Sequence, residues 1–341
     1  MVKKLKDKLQ GNNFLLMITI VLFIALYIVG IAVFGEKNFG KPQVFFNLFI
    51  NNAGLIVTAV GMTMVLITGG IDISIGSVIG FTCMLLAWMM EKKGMSATAS
   101  IIIVLLIGTL FGLVQGILVA YFKIQPFIVT LAGMFFARGL TAMVSTEMIS
   151  ITNESFLKMA NAKIYLPILG TMNKKGHLVY PYIYPSVIIA IVVLVIIFIV
   201  LKFTAFGRAV YAVGGNEQSA LLMGLNVKRT KLKVYVLNGF LAALGGFVFC
   251  LNSCGGFVEQ ARGFEMDAIA SAVIGGTLLT GGVGNVIGSL FGVLIKGTIE
   301  SIITFQGTLS SWWTKIAIAA LLCFFIIFQS IFAKLKAKKA A

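Results

Sequence analysis

Apolar runs of about twenty residues alternate with short polar joints along almost the whole chain. Some twenty apolar residues are what a helix needs to cross the roughly 30 Å hydrocarbon layer. In that layer only helices and closed barrels satisfy their own backbone. The runs predict about ten spans, at residues 14–34, 46–68, 71–90, 97–122, 127–144, 182–203, 234–252, 267–280, 283–303 and 313–332. The fold class is therefore all-α, a polytopic transmembrane helical bundle built as one domain over 1–341. Two polar stretches interrupt it, 145–181 and 204–233.

Charge orients these runs. With ten spans, one side collects fifteen Lys and Arg, including Lys3, Lys4, Lys6 and Lys8, the cluster Lys228, Arg229, Lys231 and Lys233, and the C-terminal lysines. The other side collects nine. The positive-inside rule then puts the N- and C-termini and the 204–233 loop in the cytoplasm and the 145–181 segment outside. The first run is longer than the apolar core of a cleaved signal, so it is expected to be a retained span.

One stretch repeats. Residues 66–80 laid over 278–292 share Leu66, Thr68, Gly69, Gly70, Ile75, Gly76, Ser77 and Gly80, eight of fifteen positions. Gly69-Gly70 thereby meets Gly281-Gly282, a weak internal repeat of the kind seen in membrane transport folds. It is parallel in a ten-span count and inverted if one Gly-rich piece is re-entrant. Small residues also recur every fourth position at Gly108, Gly112 and Gly116, at Gly284, Gly288 and Gly292, and at Gly76 and Gly80. That spacing lets helix backbones approach closely.

Five charges fall in or near apolar runs: Asp72, Arg138, Asp267, Lys296 and Glu300. Each costs about 2.5 kcal/mol or more in hydrocarbon and so needs a partner, a cavity or the interface. Lys296 and Glu300 are spaced i, i+4 and can pair on one helix. Asp72 follows a Gly pair and is expected to cap the next span by accepting the free amides of Ser74 and Ile75. Asp267 is expected to act similarly at the start of the eighth span; a proton relay is the competing role for both. The polar residues Asn51, Asn52, Gln115, Thr130, Asn238 and Asn252 also fall inside runs, and Asn51 and Asn52 are the expected pathway residues.

Composition excludes several functions. The chain is 59% hydrophobic and 11% charged, which leaves too little polar surface for a soluble protein. The net charge of +16 follows the span ends and does not point to nucleic acid. Cys83, Cys250, Cys254 and Cys323 complete no metal-ligand set and read as small buried hydrophobes; His177 stands alone in a polar loop. No nucleophile, base and orienting group come together, so an enzyme is not expected. No Gly-x-x-x-x-Gly-Lys-Ser/Thr motif is present to cradle ATP, so energy must come from a partner or an ion gradient.

The cytoplasmic loop carries the clearest local signal. Asn216 suits an N-cap, Glu217 suits the positive end of a helix dipole, and Gly224 suits the stop. A short helix after Gly214-Gly215, with Ala220, Leu221 and Leu222 facing solvent, predicts a docking element; a helix lying on the membrane surface is the alternative.

The loop, the stretch Gly69-Gly70-Ile71-Asp72-Ile73-Ser74-Ile75-Gly76, the run from Asp267 to Thr277, and Gln125-Pro126-Phe127 with Ala137-Arg138-Gly139 resemble the membrane permease of a sugar ABC importer. The resemblance covers about 47–328 and lies nearest the ribose and galactofuranose branch of the ribose and branched-chain amino acid type. It implies a non-catalytic permease subunit in the bacterial cytoplasmic membrane, passing a monosaccharide inward. It implies four kinds of partner: cytoplasmic ABC ATPase subunits, which hold the ATP and Mg; an extracytoplasmic sugar-binding protein; a second permease, identical or homologous; and the lipid bilayer. Residues 216–224 match the family's coupling helix, departing from the Glu-Ala-Ala loop of other importers because Gln218 and Ser219 replace both alanines and Gly224 falls one position late. An ion-coupled carrier or channel for a small polar solute is the alternative function.

Overall fold

The computed structural model describes residues 13–172, 178–310 and 312–340. His177, Lys174, Lys175 and the four N-terminal lysines lie outside them.

Helices occupy the expected apolar runs: α1 (Asn13–Phe34), α2 (Pro42–Ile67), α3 (Ile75–Glu91), α4 (Ala97–Ala120), α5 (Pro126–Val144), α7 (Pro185–Phe203), α10 (Val227–Ser253), α11 (Phe264–Ile274), α12 (Val286–Gln306) and α13 (Trp312–Ala340). Between them lie α6 (Glu154–Asn161), α8 (Ala205–Gly215) and α9 (Glu217–Leu222). Among the described residues, seven helices are long and apolar enough to cross a membrane: α1, α2, α4, α5, α7, α10 and α12. The chain is an α-helical, polytopic membrane protein.

Local chemistry sets the helix starts. Pro42, Pro126 and Pro185 open α2, α5 and α7, where a missing N–H costs nothing. Ser96, Thr204, Asn226 and Asn285 cap α4, α8, α10 and α12 with their side-chain oxygens. The Asn226 cap moves the start of α10 seven residues ahead of the apolar run at 234, because Lys228, Arg229, Lys231 and Lys233 form a solvated first two turns. Residues 205–215, expected as loop, are helical. The eighth run shrinks to α11, eleven residues or roughly 16 Å, which is too short to cross alone.

The centre of the bundle is α2, buried along nearly all its length, with α10 and α12 against it. On α4, Ile102, Leu106, Leu110 and Val114 are exposed four residues apart, a lipid-facing stripe. The opposite face is the glycine row. A Cβ on Gly112 would lie 2.9 Å from Gly239 Cα, so α4 and α10 touch backbone to backbone. The two repeat copies receive α11 and its approach in the same way. Gly76 and Gly80 abut Ala261 and Gln260 carbonyls, while Gly288 and Gly292 abut those of Gly275 and Ser271. A second apolar cluster around Phe23, Ile274, Ile295 and Phe325 ties α1, α11, α12 and α13 together.

The 145–181 segment closes one end. β1 (Ile149–Ser150) pairs antiparallel with β6 (Gly255–Gly256), matching Ile149 to Gly256. β2 (Ile164–Tyr165) pairs with β5 (Tyr182–Ile183), and β3 (Thr171–Met172) with β4 (Leu178–Val179). The Glu91 carboxylate, at the end of α3, accepts from the Thr152 and Asn153 amides at 2.7 and 3.0 Å. Phe156 of α6 is fully buried against Phe247.

Two alanine substitutions separate packing from helix propensity. Gly112→Ala should destabilise by about 1–3 kcal/mol through overpacking. Gly139→Ala, with open space around its Cβ position, should be neutral or stabilise by up to about 1 kcal/mol. Thermal unfolding of the detergent-solubilised protein reads both.

Candidate functional site

The first repeat copy breaks the helix for seven residues, 68–74, inside the bundle. Such a break must find protein partners for its backbone. Gly69 turns the chain at φ +75°. The Ile71 carbonyl accepts from Thr130 and from the Tyr235 hydroxyl, each at 3.4 Å. Asp72 is 2% exposed, and its Oδ1 accepts from the Ser74 amide at 2.8 Å and the Ser74 hydroxyl at 2.6 Å. Its Oδ2 accepts from Asn238 Nδ2 at 2.6 Å, and Gln115 Nε2 donates to Ser74 Oγ at 2.9 Å. The capping expectation for Asp72 therefore holds at Ser74 but not at Ile75, because the helix begins only after Ser74. Gln115, Thr130 and Asn238, three of the six polar residues within runs, are clamps on this break.

The second copy meets the first here. Gly282 N–H donates to the Ile67 carbonyl at 2.8 Å, the last residue of α2. A Cβ on Gly281 would stand 3.0 Å from Gly69 N and 2.9 Å from the Gly214 carbonyl; one on Gly282 would stand 2.9 Å from Gly215 Cα. Both Gly281 and Gly282 have positive φ. Three glycine pairs, Gly69-Gly70, Gly214-Gly215 and Gly281-Gly282, thus form one backbone junction. Tyr211 of α8 adds a hydrogen bond to the Gly284 carbonyl at 2.9 Å.

From that junction α9 projects. Asn216 caps it, accepting from Ser219 N at 2.8 Å, and Gly224 follows it at φ +80°. Glu217 ion-pairs with Lys231 at 2.6 Å, fastening α9 to the solvated start of α10. Ala220, expected to face solvent, is fully buried against Val213 and Val227, because a small side chain is what lets α9 lie on α8 and α10. The exposed group is shifted by one: Leu221, Leu222 and Met223 are 64%, 88% and 67% exposed.

The remaining charges lie elsewhere. Asp267 is the fourth residue of α11, and the helix starts instead at Gly263, whose left-handed backbone sets the turn. Asp267 therefore caps nothing; its carboxylate faces Lys296 at 3.6 Å, and Lys296 also holds Glu300 at 2.5 Å as its i, i+4 spacing predicts. Arg138 donates to the Val258 and Gln260 carbonyls at 2.6 and 2.9 Å. Asn51 and Asn52 part company: Asn51 lines a cavity with Asp267, Lys296 and Glu300, whereas Asn52 is buried and donates back to the Leu48 carbonyl at 2.9 Å. Asn252 is exposed at the end of α10. Of the cysteines, Cys83 and Cys250 are buried as expected, Cys254 is half-buried and Cys323 exposed. Tyr235 and Tyr211 are the participants that sequence reading missed, and Gly214-Gly215, read there only as the lead into the short helix, is a third Gly-Gly pair that signals the junction.

The Asp72 clamp predicts a graded series. Asp72→Asn keeps an acceptor for Ser74, and a turned Asn238 amide, whose Oδ1 has no partner, can accept the new N–H. Its cost should be about 1 kcal/mol. Asp72→Leu strands the Ser74 and Asn238 donors and should cost about 3 kcal/mol or more in thermal unfolding.

The protein-family model described as "Branched-chain amino acid transport system / permease component" matches residues 44–326. The inner membrane ABC transporter permease protein YjfF of Escherichia coli K12 is 44% identical over 93% of this chain and 92% of its own. The fructose import permease protein FruG of Bifidobacterium longum is 37% identical over 91% and 88%. The ribose import permease protein RbsC of Haemophilus influenzae is 36% identical over 86% and 88%. No solved structure matches. With the family model covering most of its length, and relatives aligned nearly end to end, the chain belongs to the family of branched-chain amino acid transport system permease components.

Proposed function

We propose that this chain is the permease subunit of an ATP-driven importer that moves a monosaccharide across the bacterial cytoplasmic membrane. The observation that carries this reading is α9: a capped six-residue helix, fixed at its base by a glycine junction, presenting Leu221, Leu222 and Met223 to solvent. Exposed apolar side chains grouped on a cation-rich loop suit a protein partner. That partner is the cytoplasmic ATPase, which holds the ATP and Mg. A sugar is favoured over an amino acid because the named relatives include fructose and ribose permeases.

The topology follows. Ten traverses, the eighth made by α11 together with the chain at 256–263 that runs along α3 into it, put both termini and the α8–α9 loop in the cytoplasm, and the 145–181 segment outside for a sugar-binding protein to reach. The repeat is parallel in this reading: α2 and α11 run toward the glycine junction, and α3 and α12 leave it. A second permease copy, identical or homologous, completes the membrane part.

Leu222→Asp tests the coupling role in the assembled importer. Its side chain is 88% exposed, so the variant should insert and unfold like the parent. Sugar-stimulated ATP hydrolysis and uptake into proteoliposomes should fall about tenfold or more, as for a hot-spot contact. Unchanged hydrolysis overturns the docking role. Uptake that survives ATP depletion but collapses with an uncoupler overturns the function itself.

A further inference from the structure

A cavity of about 700 Å³ opens between α11, α12 and α13, with Asn51 of α2 on its wall. Sites for small molecules run from about 300 to 1,000 Å³, so its size suits one small solute with room for water. A smaller cavity of about 210 Å³ adjoins it, sharing Asn51, Glu300 and Thr304.

The charges in the lining balance. Asp267 and Glu300 face Lys296 and Lys315, so the wall is formally neutral and offers no net field to draw in an ion. Lys296, its side chain 10% exposed, is held between the two carboxylates. It fixes both through one oxygen each, Asp267 Oδ2 and Glu300 Oε1. Asp267 Oδ1 and Glu300 Oε2 accept no hydrogen bond from any described residue. Ionised carboxylate oxygens are strong acceptors, and neighbouring hydroxyls can fill both lone pairs. Asn51 supplies a donor as well as an acceptor. Trp312 contributes an aromatic wall, with the Lys315 ammonium 4.6 Å from its ring centroid. Fixed acceptors, a neutral amide and an indole together match a solute with hydroxyls on its edges and C–H groups on its face.

We propose that Asp267, Glu300 and Asn51 form a polar subsite that an uncharged polyol occupies during its passage, with Lys296 as the positioning residue that holds the carboxylates ready. The proposal rests on the reading of this chain as a monosaccharide permease. It explains why four charges sit in an apolar bundle: their mutual compensation lowers the cost of burial while leaving acceptor capacity unfilled.

The experiment is cysteine protection in proteoliposomes holding the assembled importer. Thr304→Cys is introduced with Cys254→Ser and Cys323→Ser and labelled from outside with a charged, impermeant thiosulfonate. D-ribose, D-fructose and D-galactose are the probes, and L-leucine is the control. Labelling should be rapid and should slow with the sugar that the importer takes up, and not with leucine. Glu300→Gln or Asn51→Ala should raise the sugar concentration needed for protection about tenfold. Lys296→Met should lose protection while the importer still assembles and unfolds like the parent, and Lys296→Arg should restore it; a purely structural lysine would instead lower assembly or unfolding temperature together with protection. Asn51 lies outside the ion network, so Asn51→Ala keeps the test valid if the charge variants fail to assemble. Absence of labelling, or labelling unaffected by a sugar that the same importer transports, overturns the subsite and leaves the permease reading intact. Uptake of leucine and of none of the three sugars overturns the monosaccharide reading.

Discussion

Backbone polar groups buried in an apolar bundle must find partners in the protein, and the two helix breaks exist only because they do. At 68–74 the Thr68, Gly69 and Gly70 amides return to carbonyls of the last turn of α2, the Ile71 carbonyl accepts from Thr130 of α5 and Tyr235 of α10, and Asn238 of α10 and Gln115 of α4 hold the Asp72 and Ser74 side chains. At 275–285 the main partners are backbone, led by the bond from Gly282 to the Ile67 carbonyl. The same repeated motif is thus stabilised by two different means. The copy with a carboxylate recruits donors, and the copy without one leans on the first. This is why Gly284 can stand where Asp72 stands.

Glycine faces bring the pieces into contact. Both copies end in a small-residue helix start, and both starts clasp α11 and the chain that leads into it. The clasp also positions the cavity, since Asp267 rides on α11 and Lys296 and Glu300 on α12. Close packing of small residues is a main attraction between helices in lipid, so one set of contacts fixes both the helix packing and the cavity.

Much of this was legible. Long apolar runs located the helices, Pro and Asn marked their starts, and the i, i+4 spacing gave the Lys296–Glu300 pair. The Gly-Gly-x-Asp sequence marked a break, but its extent depended on where Ser74 becomes helical. Asp267 misled because a carboxylate before an apolar run looks like a cap, whereas the turn is set by the positive φ of Gly263. Ala220 misled because its exposure is decided by Val213 and Val227, residues outside its own helix. α8 was hidden by its glycines, which lower helix propensity yet permit the close approach that holds it.

The junction beneath α9 has a mechanical property. Contacts between side chains are compliant, because rotamers turn and absorb a displacement. Between Gly214-Gly215, Gly281-Gly282 and Ile67 there are no side chains to turn, only peptide planes against one another and one short hydrogen bond. The base of α9 therefore abuts the end of α2 and the approach to α12 directly, and a shift of either backbone leaves no intervening side chain to take it up.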